Sequence, residues 1–126
     1  MNEVQSLWIG GKLSNLEILC INSFLKNNIS FKLYCYQEVE NLPEGTIVAD
    51  GREILPESEI FCYQTGKGKG SFSAFSNVFR YCMLYLKGGI WVDMDLICLK
   101  NFTSSNEYIF ASEQAEKGTN TASCFI

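Results

Sequence analysis

"GGIWVDMDLICLK", residues 88–100, is an apolar run opened by a glycine pair and interrupted by two carboxylates, Asp93 and Asp95. The apolar residues on either side mark a strand, predicted over 90–99. Side chains alternate along a strand, so the two aspartates are expected to project together, with Met94 opposite and Cα atoms about 6.5–7 Å apart. Burying two carboxylates is costly unless a charge or hydrogen bonds compensate for them. Hard oxygen ligands suit Mg²⁺ or Mn²⁺, which bind through one or two carboxylates plus substrate phosphates, so the simplest counter-charge is a metal-diphosphate. Ligands of open α/β sheets bind beyond the carboxyl ends of the strands, where this pair falls. A merely solvated pair at a strand end is the competing reading, and the core character of the flanking residues weighs against it.

Working outward, "SFSAFSNVFRYCMLYLKGG" (71–89) reads as a helix that starts near Ser73 or Ser76 and stops at Gly88-Gly89. "SLWIGG" (6–11) reads as a short buried strand closed by a glycine turn, and "FKLYCY" (31–36) as a second strand. Between them "SNLEILCINSFLKNN" (14–28) predicts a helix, with Ser14 and Glu17 as a capping box and Leu16, Leu19, Cys20 and Phe24 on one face. "IFCYQ" (60–64) and "EYIFASE" (107–113) are further strand candidates, and "NLPEGTIV" turns at Pro43 and Gly45. Strand, helix, strand, then helix, strand is the α/β pattern with a mostly parallel sheet. "KGTNTASCFI" (117–126) stops on apolar residues, which predicts an incomplete domain, the N-terminal part of something longer.

Composition excludes several classes. At 126 residues, 47% hydrophobic and 19% charged, the chain has the size and make-up of one globular domain. A net charge of -4 argues against a nucleic-acid partner. The complete absence of histidine rules out histidine-based nucleophilic schemes and HExxH zinc sites within the chain. Cysteines 20, 35, 62, 82, 98 and 124 form no Cys-x-x-Cys and sit in apolar runs, so buried free thiols in a reducing, cytoplasmic setting are expected. "GKGKG" (66–70) does not match the phosphate-loop order and reads as a surface loop.

Taken together, "LWIGGKLSNLEILCINSFL", "FKLYCYQEVENLPEGTIVADGREILPESEIF" and above all "SAFSNVFRYCMLYLKGGIWVDMDLICLKNF" resemble the DXD-containing family of GT-A-type glycosyltransferases. That family includes bacterial capsule and lipopolysaccharide sugar transferases, yeast initiating mannosyltransferases and α-1,4-galactosyltransferases; the clostridial glucosylating toxins are more distantly similar. The resemblance implies a GT-A-like, Rossmann-like α/β fold with flanking helices, whose residues 1–126 form the N-terminal nucleotide-sugar-binding part, the acceptor part being absent. It implies retaining transfer of a sugar from a nucleotide donor, UDP-hexose first and GDP-mannose second, to a hydroxyl of a glycan, capsule or lipopolysaccharide acceptor. Mn²⁺ or Mg²⁺ is implied as cofactor, with Asp95 as the direct ligand. Asp93 is implied to hold ribose or sugar hydroxyls and to reach the metal through water; both aspartates carry the catalytic role.

The resemblance also assigns the donor-binding residues. Arg80, with Asn77 three positions before it, matches the pair that grips the donor sugar, although Asn77 stands where the family usually has Asp. Trp8 matches the tryptophan that stacks on the base, with backbone at Ile9 and Gly10 reading the base edge. Trp91 lines the donor site or packs, and Asp50 fits the family pattern without a chemical role. Dimerisation through exposed core surface and a location at the inner face of the membrane complete these expectations. Two other functions stay open: a non-catalytic nucleotide-sugar-binding fragment, and a haloacid-dehalogenase-like phosphatase with Asp93 as nucleophile.

Overall fold

The computed structural model describes residues 2–102, 108–116, 118–122 and 125–126. Strand β1 (Glu3–Trp8) leads through a Gly10-Gly11 turn into helix α1 (Asn15–Lys26), which returns the chain to β2 (Ser30–Cys35). A loop turning at Pro43 and Gly45 delivers β3 (Ile47–Asp50); two short 3₁₀ turns follow, then helix α2 (Ser73–Lys87) and β4 (Ile90–Trp91). These four strands make one parallel sheet in the order β3-β2-β1-β4. An antiparallel hairpin, β5 (Ala111–Ala115) and β6 (Gly118–Ala122), forms a separate two-stranded sheet. The predicted α/β class with a mostly parallel sheet is the architecture found, a small GT-A-like arrangement.

The helices cover opposite faces. Cys20, Ile21 and Phe24 of α1 pack with Val4, Phe31 and Leu33 on one side. On the other, Phe75, Phe79 and Met83 of α2 pack with Leu7, Tyr34 and Trp91, with edge-on ring contacts such as Tyr34 to Phe79 at 5.4 Å. Because strand side chains alternate, even-numbered β1 residues turn toward α1 and odd-numbered ones toward α2. Both helices begin at the carboxyl edge of the sheet, so their first turns frame the space beyond β1 and β4.

Local sequence explains the boundaries. The capping box forms: the Ser14 backbone N–H and hydroxyl both donate to the Glu17 carboxylate. Helix α2 ends at Gly88, whose φ of 68 places it in the left-handed region, and Gly89 follows with φ of 87. Gly89 also lies against Gln5, whose side-chain amide donates to the Gly88 carbonyl at 2.9 Å and holds this corner onto β1.

Several expectations are corrected. The strand predicted over 90–99 keeps ladder pairing only at Ile90–Trp91, with Val92 bridged to Phe125; Met94 and Asp95 form a turn. Pleat alternation therefore does not position the two aspartates. Strand β1 starts three residues before the predicted Ser6 and ends before the Gly-Gly turn. Leu16 and Leu19 are 48% and 54% exposed, and Glu17 and Ile21 take their places on the buried side of α1. The stretch 60–64 is a loop with one isolated bridge, Tyr63 to Lys69, while β3 had no strand signal beyond a short Ile-Val-Ala run. Strand β5 shares only residues 111–113 with the segment predicted at 107–113, and residue 107 falls outside the described residues. Cys20 and Cys35 are buried thiols as expected, but Cys62, Cys82 and Cys98 are only half-buried; Cys124 lies outside the described residues.

Candidate donor-binding cleft

A cleft of about 540 Å³ opens at the carboxyl edge of the sheet, between the first turns of the two helices. Of the residues singled out in the sequence, Trp8, Ile9, Asn77, Arg80, Trp91, Asp93 and Asp95 line it together. Gly10 stands just outside the lining, against the indole of Trp8. Positions scattered from 8 to 95 thus converge because β1 and β4 end, and α2 begins, at this edge.

Asp93 is the hinge of the arrangement. Its Oδ1 accepts from Arg80 Nη2 at 2.9 Å and from Trp91 Nε1 at 2.9 Å. The Arg80 guanidinium also sits over the Trp91 ring, 5.2 Å from its centroid. Arg80 is 4% exposed although it projects from an amphipathic helix, since Val78 and Tyr81 take the solvent side and leave it turned inward. Trp91 is both a core residue, 1% exposed and packed on Phe79, and a wall of the cleft. The fixed ion pair and the indole hold the Asp93 carboxylate in place, with the turn at Met94 carrying the chain round to Asp95.

Asp95 is exposed at the rim, and among the described residues no group donates a hydrogen bond to its carboxylate. Asn77 is exposed on the first turns of α2, beside Ser73 and Ser76. Trp8 is half-buried, its indole Nε1 donating to the Lys12 carbonyl at 3.1 Å, which pins the ring edge.

The charge balance was only partly legible beforehand. A third carboxylate, Glu17, lines the cleft, so among the described residues Glu17, Asp93 and Asp95 share it with one cation, Arg80. Their common neighbour is Cys20, whose thiol burial pushes up to about 12, the Asp95, Glu17 and Asp93 carboxylates adding to the rise. Among the described residues no three His, Cys, Asp or Glu side chains come together as a metal cage. The donor set fits a divalent ion held by Asp95 and completed by ligand oxygens, rather than an all-protein site. Ser6, Leu16, Glu17, Phe72, Ser73, Ser76 and Met94 also line the cleft and were not assigned to it from the sequence. Glu17 reads as a helix cap and Leu16 as core in one dimension; only the position of α1 against β1 brings them to the cleft.

Among the described residues no helix is long and apolar enough to cross a membrane. In comparison with known proteins, the family model described as a glycosyltransferase sugar-binding region containing a DXD motif matches residues 14–115. No curated protein and no solved structure matches.

Proposed function

We propose a function from one premise: the chain belongs to the glycosyltransferase family defined by a sugar-binding region that contains a DXD motif. Within that family, this cleft takes a nucleotide-sugar, and the chain is the nucleotide-sugar-binding part of a retaining hexosyltransferase that uses a glycan hydroxyl as acceptor. The observation that carries the reading is the convergence of Arg80, Trp91 and Asp93 on one another, with Asp95 beside them, at the carboxyl edge of a parallel sheet.

Each side chain has a task that follows from its position. Trp8 offers an indole face to the base, and the Ile9 backbone lies at the base edge. Arg80 and Asn77 face the donor hexose; Arg80 also orients Asp93, whose remaining lone pairs accept sugar hydroxyls. Asp95, which accepts from no donor among the described residues, would hold a divalent cation together with the diphosphate. When bound there, Mn²⁺ or Mg²⁺ would supply Lewis-acid stabilisation of the negative charge on the departing diphosphate. A cation is also needed on electrostatic grounds, because a diphosphate entering three carboxylates and one guanidinium would otherwise be repelled. A phosphatase reading has no support: Asp93 Oδ1 is already engaged by two donors, which blunts it as a nucleophile. The free cysteines favour a reducing compartment, in keeping with a cytoplasmic site of action.

Titration calorimetry with UDP-glucose, UDP-galactose and GDP-mannose, with and without Mn²⁺, tests the reading. Metal-dependent binding of one donor, lost in Asp95→Ala, is the expected result, and slow hydrolysis of that donor identifies an enzyme rather than a binding module. Binding that ignores both the metal and Asp95 overturns it.

A further inference from the structure

An exposed apolar strip lies outside the cleft and runs up to its mouth. From Met94 onward the side chains alternate: Met94, Leu96 and Cys98 pack on the α1-side core, while Asp95, Ile97 and Leu99 face out, Leu99 at 88% exposure. Hydrogen bonds fix this segment along α1. The Cys98 N–H donates to Ser23 Oγ at 2.8 Å, Asn27 Nδ2 donates to the Cys98 carbonyl at 3.1 Å, and Asn101 Nδ2 donates to the Asn27 carbonyl at 2.7 Å. Leu16, Leu19, Ser23 and Lys26 follow one another at helical spacing on the adjoining flank of α1, both leucines and the lysine exposed. Leu16 and Asp95 join the strip to the cleft, and Lys26 and Lys100 close its far end.

We propose that Leu16, Leu19, Ile97 and Leu99, with Lys26 and Lys100, form a docking strip for an anionic lipid surface and hold the mouth of the cleft against it. The contact is independent of what the cleft binds. Its chemistry selects the partner: aliphatic groups enter the acyl boundary, while lysine stems lie along them and carry their ammonium groups to headgroup phosphates. Protein interfaces favour Tyr, Trp, Met and Arg and are poor in Lys, the reverse of what stands here. Charge agrees. The chain as a whole carries -4, yet residues 18–30 and 96–102 contain no acidic residue, and their only charges are Lys26 and Lys100. Neither lysine forms an ion pair among the described residues. Glu44, Asp50, Glu53, Glu57 and Glu59 gather instead around β3, at the opposite edge of the sheet from β4. An anionic surface is thereby repelled from that edge and drawn to the strip.

Sedimentation of the whole chain with vesicles reads the contact, using phosphatidylcholine alone and equal parts of phosphatidylcholine and phosphatidylglycerol. Binding to the anionic vesicles only, falling as salt rises, is the expected result. Lys26→Gln/Lys100→Gln should weaken that binding by about tenfold or more, and Leu19→Ser/Leu99→Ser by a similar factor. All four side chains are exposed and lie outside the cleft lining, so both double variants should keep the wild-type unfolding midpoint. No binding to anionic vesicles, or binding that either double variant leaves unchanged, overturns the proposal. So does a dimer in solution that Leu19→Ser/Leu99→Ser disperses, since a second copy of the chain then covers the strip.

Discussion

Arg80 Nη2 and Trp91 Nε1 meet on a single oxygen, Oδ1 of Asp93, each at 2.9 Å. The helix before the glycine pair and the strand after it are thereby tied together at the acidic motif. Arg80 is 5% exposed at its side chain and Asp93 33%, so the pair is partly desolvated and the guanidinium has little access to water. Asp93 is thus a fixed anion, whereas Asp95, at the rim, accepts from no donor among the described residues.

Removing the guanidinium should cost stability as well as binding. Arg80→Ala is expected to destabilise the fold by about 1.5–3 kcal/mol, the range for hydrogen bonds to charged groups. Urea unfolding measures this. Arg80→Lys should recover only part, because an ammonium lacks the planar face that lies over Trp91. A full recovery by lysine would count against the geometry described.

The two tryptophans should separate cleanly. Trp91 is 1% exposed, and Trp91→Ala is expected to lose about 3–5 kcal/mol of stability. Trp8 is half-buried and anchored at one edge, so Trp8→Ala should unfold near the wild-type midpoint while nucleotide binding weakens by about 1–3 kcal/mol. Thermal melts and calorimetry on the same two variants check both halves.

Stability should fall in alkali. Burial pushes the Cys20 thiol up to about 12 and the Cys35 thiol up to about 11, against 9.0 when unfolded. The folded state therefore keeps protons that the unfolded chain releases, so this contribution is whole below pH 9 and is lost as pH rises toward 11 to 12. The urea midpoint should decline across that window, and less steeply in Cys20→Ala/Cys35→Ala. Both thiols should also resist alkylation of the native protein at pH 8.

The start of α1 should depend on Ser14. Ser14→Ala removes the hydroxyl that donates to Glu17 and is expected to cost about 0.5–2 kcal/mol. Urea unfolding reads the loss directly; a variant as stable as wild type would show that the helix start is held by packing alone.

Much of this molecule could be read from local chemistry. The serine-to-glutamate spacing at 14 and 17 set the first helix, the glycine pair at 88 and 89 ended the second, and alternating strands and helices implied a parallel sheet. These signals act within a few residues of chain, through caps, turns and periodicity, and so survive in one dimension. The motif with two aspartates was legible for the same reason, as a conflict between charge and an apolar run. Its geometry was not. Ladder pairing stops at Trp91, and what aims the Asp93 carboxylate is a guanidinium 13 residues earlier, brought near by the packing of α2 against Trp91 and Leu7. Glu17 and Ser6 joined the cleft by the same route: a cap and a strand residue become cleft walls only when α1 docks on the sheet. The sequence alone determined which elements form and which residues are chemically costly; the docking of two helices on opposite faces decided which of those costs are shared at one site, because side-chain contacts across tens of residues depend on tertiary packing.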